Sequence, residues 1–185
     1  MKNIFSILII CLSFATPSPA QEIPIDKSPL DIAYFPVDYP LLKIQGKAKG
    51  PAVARIIYSR PLKNGREIFG NLIEYNKIWR LGANEATEIE FFVPVTVNHT
   101  KIKRGRYTLY AIPDEEKWTI IINKETDTWG TFKYDKQKDI VRIEAPTEKR
   151  ETLAEYFTAA FEPDKNGFNL LFAWDGIGTS ISFSL

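Results

Sequence analysis

TEIEFFVPVTVNHTKIKRGRYTLYAIPDEEKWTIIIN, residues 87–123, is the stretch whose reading decides the fold. Thr87, Ile89, Phe91 and Val93 alternate with Glu88 and Glu90, the two-residue period of a half-buried strand. Pro94 has no N–H to give a ladder, so it permits only an edge or a break. Val95-Thr96-Val97 and Ile102 flank Asn98-His99-Thr100-Lys101, which reads as a hairpin tip. Tyr107, Leu109 and Ala111 then alternate with Thr108 and Tyr110. After the turn Pro113-Asp114-Glu115-Glu116, the residues Trp118, Ile120 and Ile122 share one face. The spacing predicts an antiparallel meander from Thr87 to Asn123.

The same pattern continues outward. Val141, Ile143 and Ala145 form one apolar row; Phe157, Ala159 and Phe161 form another. Phe168, Leu170, Phe172 and Trp174 follow, and Ile181, Phe183 and Leu185 close the chain as a last strand. Upstream, Ala52–Ser59 reads as a strand ended by Arg60-Pro61. Thr147–Tyr156 is open to a helical turn, but no long amphipathic stripe appears. With about eight to ten short strands and no strand–helix alternation, the prediction is an all-β antiparallel sandwich, jelly-roll-like, with a closed barrel as the alternative.

Three regions are expected. Residues 1–20 read as a signal peptide: Lys2 is the positive start, Ile4–Leu12 the apolar run, and Ser18-Pro19-Ala20 the small-x-small cleavage pattern before Gln21. Residues 21–50, with four prolines among Tyr34, Phe35 and Tyr39, read as an irregular arm packed over the domain. Residues 51–185 are the sandwich. The single cysteine, Cys11, falls in the leader, so the mature chain is expected to hold itself together without a disulfide. The reading is therefore an exported protein, periplasmic or extracellular, with no later transmembrane anchor and no statement about its oligomeric state.

Charge excludes one large class of partner. The chain carries 24 basic and 23 acidic side chains, and Lys2 is the only charged residue of the leader. The mature chain is balanced, which does not suggest nucleic-acid binding.

The unusual residues concentrate between the first strand and the meander. Lys63-Asn64-Gly65-Arg66 is a turn, with Ile68, Phe69 and Leu72 as apolar anchors. Leu81–Ala86 is a second irregular segment. Together the two loops carry Arg60, Arg66, Trp79, Arg80, Asn84 and Glu85, the expected ligand-binding set. Guanidinium forks suit carboxylates, phosphates or sugar hydroxyls, and Trp79 offers a stacking face unless it is core. Arg60, Arg80 and Glu85 are expected to approach one another with Trp79 beside them, either as a ligand site or as an ion-pair network tying the loops together.

Much catalytic chemistry lacks its residues. His99 is the sole histidine and sits in the hairpin tip, so a Ser-His-acid triad has nowhere else to go. No His/Cys cluster suits zinc, and no glycine-rich strand-to-helix turn suits a nucleotide; neither metal nor cofactor is expected. Paired carboxylates remain open. Glu85 is the one weak catalytic candidate, with Glu74, Asp127 or Asp175 as partner at the roughly 5–10 Å that glycoside hydrolysis needs. Trp79, Trp129 and Trp174 would then be sugar platforms, against the plainer role of core packing. The loop Asp127-Thr128-Trp129-Gly130 stands out as tight and specific.

YSRP (58–61), NGREIFG (64–70), KIWRLGANEAT (77–87), KRGRYTLYAIP (103–113), KWTIIINK (117–124), DTWG (127–130) and KDIVRI (138–143) together resemble the DUF2911 family of exported bacterial proteins, common in Bacteroidetes. The resemblance spans nearly the whole mature chain. It implies a mostly β domain behind a signal peptide and assigns no catalytic residues. Three functions fit these readings: a binding module for a small polar ligand or glycan, a carboxylate hydrolase using Glu85, and a structural or envelope interaction protein.

Overall fold

In the computed structural model, residues 24–185 are described. The expected leader lies outside them. Strands run in chain order as β1 (Leu30–Phe35), β2 (Ala54–Ser59), β3 (Glu88–Phe91), β4 (Val95–Val97) and β5 (Thr100–Ile102). They continue as β6 (Gly105–Pro113), β7 (Lys117–Asn123), β8 (Asp139–Pro146), β9 (Glu148–Asp164) and β10 (Gly167–Ser184). One short helix, α1 (Tyr39–Ile44), starts with Pro40 in its first turn, where a missing N–H costs nothing.

The strands form two antiparallel sheets packed as a sandwich. The first has the order β1-β2-β3-β6-β7-β8 and the second β5-β4-β10-β9. The strand order shows two stacked sheets with open edges, and a jelly-roll closure is not among the pairings. Alternate residues from both sheets point inward. Ile56, Ile89, Leu109, Ile120 and Ile122 of the first sheet are fully buried, as are Phe157, Phe168, Leu170 and Phe172 of the second. Rings lock the layers together: Phe35 stacks on Phe168 at 4.6 Å, and Phe91 meets Phe183 at 5.3 Å.

Two expectations need correction. Thr87–Asn123 is not one continuous meander. At Pro94 the chain leaves the first sheet, builds the β4–β5 hairpin in the second, and returns as β6 beside β3. Period-two alternation marks which faces are apolar but says nothing about which sheet they join. A hairpin is present where expected, but its tip is only Asn98 and His99, at φ 44° and 60°, with Thr100 and Lys101 already in β5. Second, Thr147–Tyr156 holds no helical turn, and from Glu148 on it belongs to β9, paired with β10 through Lys149–Ile177 and Ala154–Asp175. Most of its side chains face solvent, so backbone pairing rather than an apolar stripe holds it in place.

The stretch expected as an arm contains β1, which pairs along its length with β2 as a sheet edge. On the outer face of the first sheet, Ala86, Tyr110 and Ile121 form a second small apolar cluster. Residues 124–138 fold over it, with Tyr134 edge-on to Tyr110 at 5.1 Å.

Candidate functional site

Residues 79–87 lead into β3, and their backbone is fixed from several sides. Trp79 exchanges two hydrogen bonds with Ala111, at 2.7 and 2.9 Å, which turns its ring inward. Leu81 and Gly82 follow at φ 54° and 145°. A Cβ on Gly82 would lie 2.7 Å from the Ser59 hydroxyl oxygen, so only glycine fits there. The buried Ser59 hydroxyl bonds both the N–H and the carbonyl of Ala83 at 2.6 Å. The end of β2 is thereby stitched to the turn. On the other side, the Lys63–Arg66 loop hooks onto β9, with the Lys63 N–H donating to Glu155 O at 2.7 Å. Ile68 and Phe69 are buried as expected anchors, whereas Leu72 is largely exposed.

Trp79 is therefore core, only 4% exposed. Its Nε1 donates to Gly82 O at 3.1 Å. Its ring contacts Phe69, Trp118 and Phe157 and stacks on Trp174 at 6.1 Å. No face remains for a sugar.

The three charged residues expected to converge do not. Arg60 pairs with Asp31 of β1 at 3.0 Å, donates to Thr158 Oγ1 at 3.2 Å and to Phe157 O at 3.4 Å, and lies over the Tyr156 ring. Glu85 is exposed and makes no ion pair among the described residues; its backbone bridges to Trp129. Asn84 turns toward residue 26, donating to Asp26 Oδ2 at 3.0 Å. The misreading has a simple cause: Asp31 is distant in sequence, and β1 brings it to Arg60.

Arg80 takes a different course. It lines a cavity of about 180 Å³ with Arg66, Trp174, Ile73, Ala83 and Ser28. Its Nε is buried and has no acceptor, and Trp174 Nε1, on a residue 1% exposed, has none either. Arg55 Nε and Trp118 Nε1 are in the same state, but Arg80 and Trp174 meet on the wall of one cavity. No acidic group pairs with Arg80 among the described residues, and burial pushes its guanidinium below the ordinary arginine value. Arg66, at the rim, donates to Lys63 O at 2.9 Å and to Leu62 O, which leaves its Nη1 amine free. Beside Trp174, Asp175 is taken by Lys63 at 2.6 Å. Buried donors without acceptors are costly, and Arg80 and Trp174 each carry one that is shielded from solvent while other atoms of both residues line this cavity.

Of the six expected ligand-binding residues, Arg66 and Arg80 share this cavity, Trp79 backs it through Trp174, and Arg60, Asn84 and Glu85 face elsewhere. The place of Trp174 on this cavity was not read from the sequence, and nothing in its local sequence distinguishes it from the other core tryptophans. Of the carboxylates expected beside Glu85, Asp127 and Asp175 are already paired, with Arg106 and Lys63, while Glu74 makes no ion pair among the described residues. Glu85, Glu88 and Asp127 line a hollow of about 140 Å³, but Arg106 holds both Glu88, at 3.4 Å, and Asp127. Among the described residues no group of three or more His, Cys, Asp or Glu is placed to hold a metal ion, and no helix is long and apolar enough to cross a membrane.

An antiparallel β-sandwich is the class these features define, with a small cleft lined by Arg66, Arg80 and Trp174 at the loop end of β2. The chain belongs to the DUF2911 family of proteins of unknown function, whose profile matches residues 40–183. No curated protein and no solved structure matches it.

Proposed function

We propose that this protein is a binding module for a small polar ligand that presents a carboxylate or comparable acceptor group to Arg80 and Trp174. The observation that carries the reading is that Arg80 and Trp174, each with a buried N–H that has no acceptor, line the same cavity. At about 180 Å³ the cavity suits one polar group rather than a whole drug-sized molecule, whose pockets run from roughly 300 Å³ upward. An anion there would answer the uncompensated Arg80 charge and accept from the indole. The hydrolase alternative is less well supported, since Arg106 and Lys63 already occupy Asp127 and Asp175, two of the three carboxylates weighed as partners of Glu85.

Titration calorimetry with acetate, succinate and inorganic phosphate tests this. At least one should bind, and Arg80→Ala should abolish that binding while the melting temperature stays close to that of the parent. Loss of stability by about 1–3 kcal/mol without any ligand effect would point instead to the structural role. The leader, the arm and export to the periplasm or beyond belong to the same proposal, on the strength of the Lys2 and Ser18-Pro19-Ala20 pattern. Mass spectrometry of the native N-terminus should find Gln21, and an intact Met1 would refute export by this route.

A further inference from the structure

The loop after β7 holds a second, separate site. Trp129 is 59% exposed and Phe132 86%, while Trp79, Trp118 and Trp174 are all buried. The two exposed rings line a cavity of about 440 Å³, together with Thr126, Asp127, Lys133 and Lys138. Large aromatics left in water on a loose loop would mean little. This loop is not loose.

Residues 125–130 are tied to β6 and to the segment 84–86. Thr108 Oγ1 donates to Glu125 O at 2.6 Å, and Tyr110 OH meets Thr128 Oγ1 at 3.2 Å. The Ala86 N–H donates to Thr128 O and the Gly130 N–H to Asn84 O, both at 3.0 Å. Gly130 sits at φ 63°, and a Cβ there would lie 3.0 Å from the Phe132 ring, so the glycine lets that ring fold back over the turn. The fold thus holds two aromatic rings in the open with most of the ordering entropy already spent, which is preorganisation for a ligand.

The chemistry around the rings narrows the ligand. An indole face is electron-rich and attracts weakly positive C–H groups. The rim alternates hydroxyls, carboxylates and ammoniums that both donate and accept. Two of the rim charges are already balanced, Lys138 by Glu125 and Asp127 by Arg106; Lys133 has no ion pair among the described residues. A pyranose ring matches this mixture, with an apolar C–H face for the aromatics and equatorial hydroxyls for the rim. The volume lies within the range of small-ligand pockets. We infer that the Trp129–Phe132 cavity binds a sugar ring of a glycan, independently of the Arg80 cleft.

Because Trp129 is the exposed indole, ligand-dependent change in tryptophan emission and in its quenching by acrylamide reports on this site. The probes are a neutral β-linked gluco-oligosaccharide and an oligogalacturonate, the second adding carboxylates for Lys133. At least one should shift emission and bind. Trp129→Ala and Phe132→Ala, followed by calorimetry, should weaken that binding tenfold or more, while Trp129→Phe retains part of it and Arg80→Ala leaves it unchanged. Melting curves check that each variant folds. Absence of binding by both oligosaccharides at millimolar concentration overturns the inference, as does binding that Trp129→Ala leaves intact. Failure here leaves the Arg80 reading standing, since acetate and phosphate address only that cleft.

Discussion

Arg60 and Arg80 flank the segment 61–79 and end in opposite situations. Around Arg60 every direction is answered: a carboxylate from β1, a hydroxyl and a carbonyl from β9, and the Tyr156 ring. Around Arg80 the cavity is open on one side, its Nε lacks an acceptor, and no acid among the described residues balances it. The same residue type is used once to close the structure and once to leave it open. A closed polar patch adds stability, and its removal should be felt in the folding equilibrium. An open one carries an uncompensated desolvation cost, and its removal should be felt chiefly by whatever binds there.

The largest expected effect follows directly. Arg60→Ala should lower stability by about 1–2 kcal/mol, because Asp31 and the Phe157 carbonyl lose their donor, although the pair is partly exposed and its Coulomb share is screened. For a domain of this size that corresponds to roughly 2–4 °C in melting temperature per kcal/mol. Arg80→Met, which fills the stem's volume without the charge, should be neutral or slightly stabilising. Chemical denaturation of the two variants side by side decides it. An Arg80 variant that loses more than the Arg60 variant would erase the distinction between the two regions.

How much of this was readable beforehand divides along the same line. The strand faces were legible because alternation is local: Ile89 and Phe91, or Trp118, Ile120 and Ile122, declare a buried row by spacing alone. The turns at Asn64-Gly65 and Asn98-His99 were legible because positive φ selects those residue types. Sheet membership was not, since Val95–Val97 alternates equally well in either layer. Nor were the site contacts. Arg60 finds Asp31 through the β1–β2 register, 29 residues back along the chain, and Trp79 loses its free face because Trp174 and Phe157 arrive from the second sheet. The loops could be picked out by composition, but which side chains share a cavity depends on long-range pairing. Trp129 shows the converse. Its loop stood out by composition, and its exposure came only with the fold.

A third polar cluster, beneath the Trp129 loop, is of the closed kind and offers a finer test. Asp139 accepts from Tyr134 OH at 2.7 Å, from Arg142 Nε at 2.9 Å and from Asn123 Nδ2 at 2.8 Å. Burial, then the hydrogen bond to Asp139 and its charge, push the Tyr134 phenol up to about 12; Arg142 opposes this only in part. The unfolded phenol titrates near 10. Between these values the unfolded chain releases a proton that the folded chain keeps, so the contribution of Tyr134 is fully present below about pH 10 and is lost as pH rises toward about 12. Tyr134 is part-exposed, and solvent screening brings the effect to roughly 1 kcal/mol or less. Other tyrosines, among them Tyr58 and Tyr110, are raised by burial as well, so the parent protein should weaken across this range in any case. Tyr134→Phe keeps the edge-on packing against Tyr110 and removes the titrating proton. Its melting temperature should start slightly lower at pH 9 and fall less steeply between pH 10 and 12 than that of the parent. Parallel curves would mean that the Tyr134–Asp139 bond contributes nothing measurable, and that a patch with every partner in place can still be energetically silent.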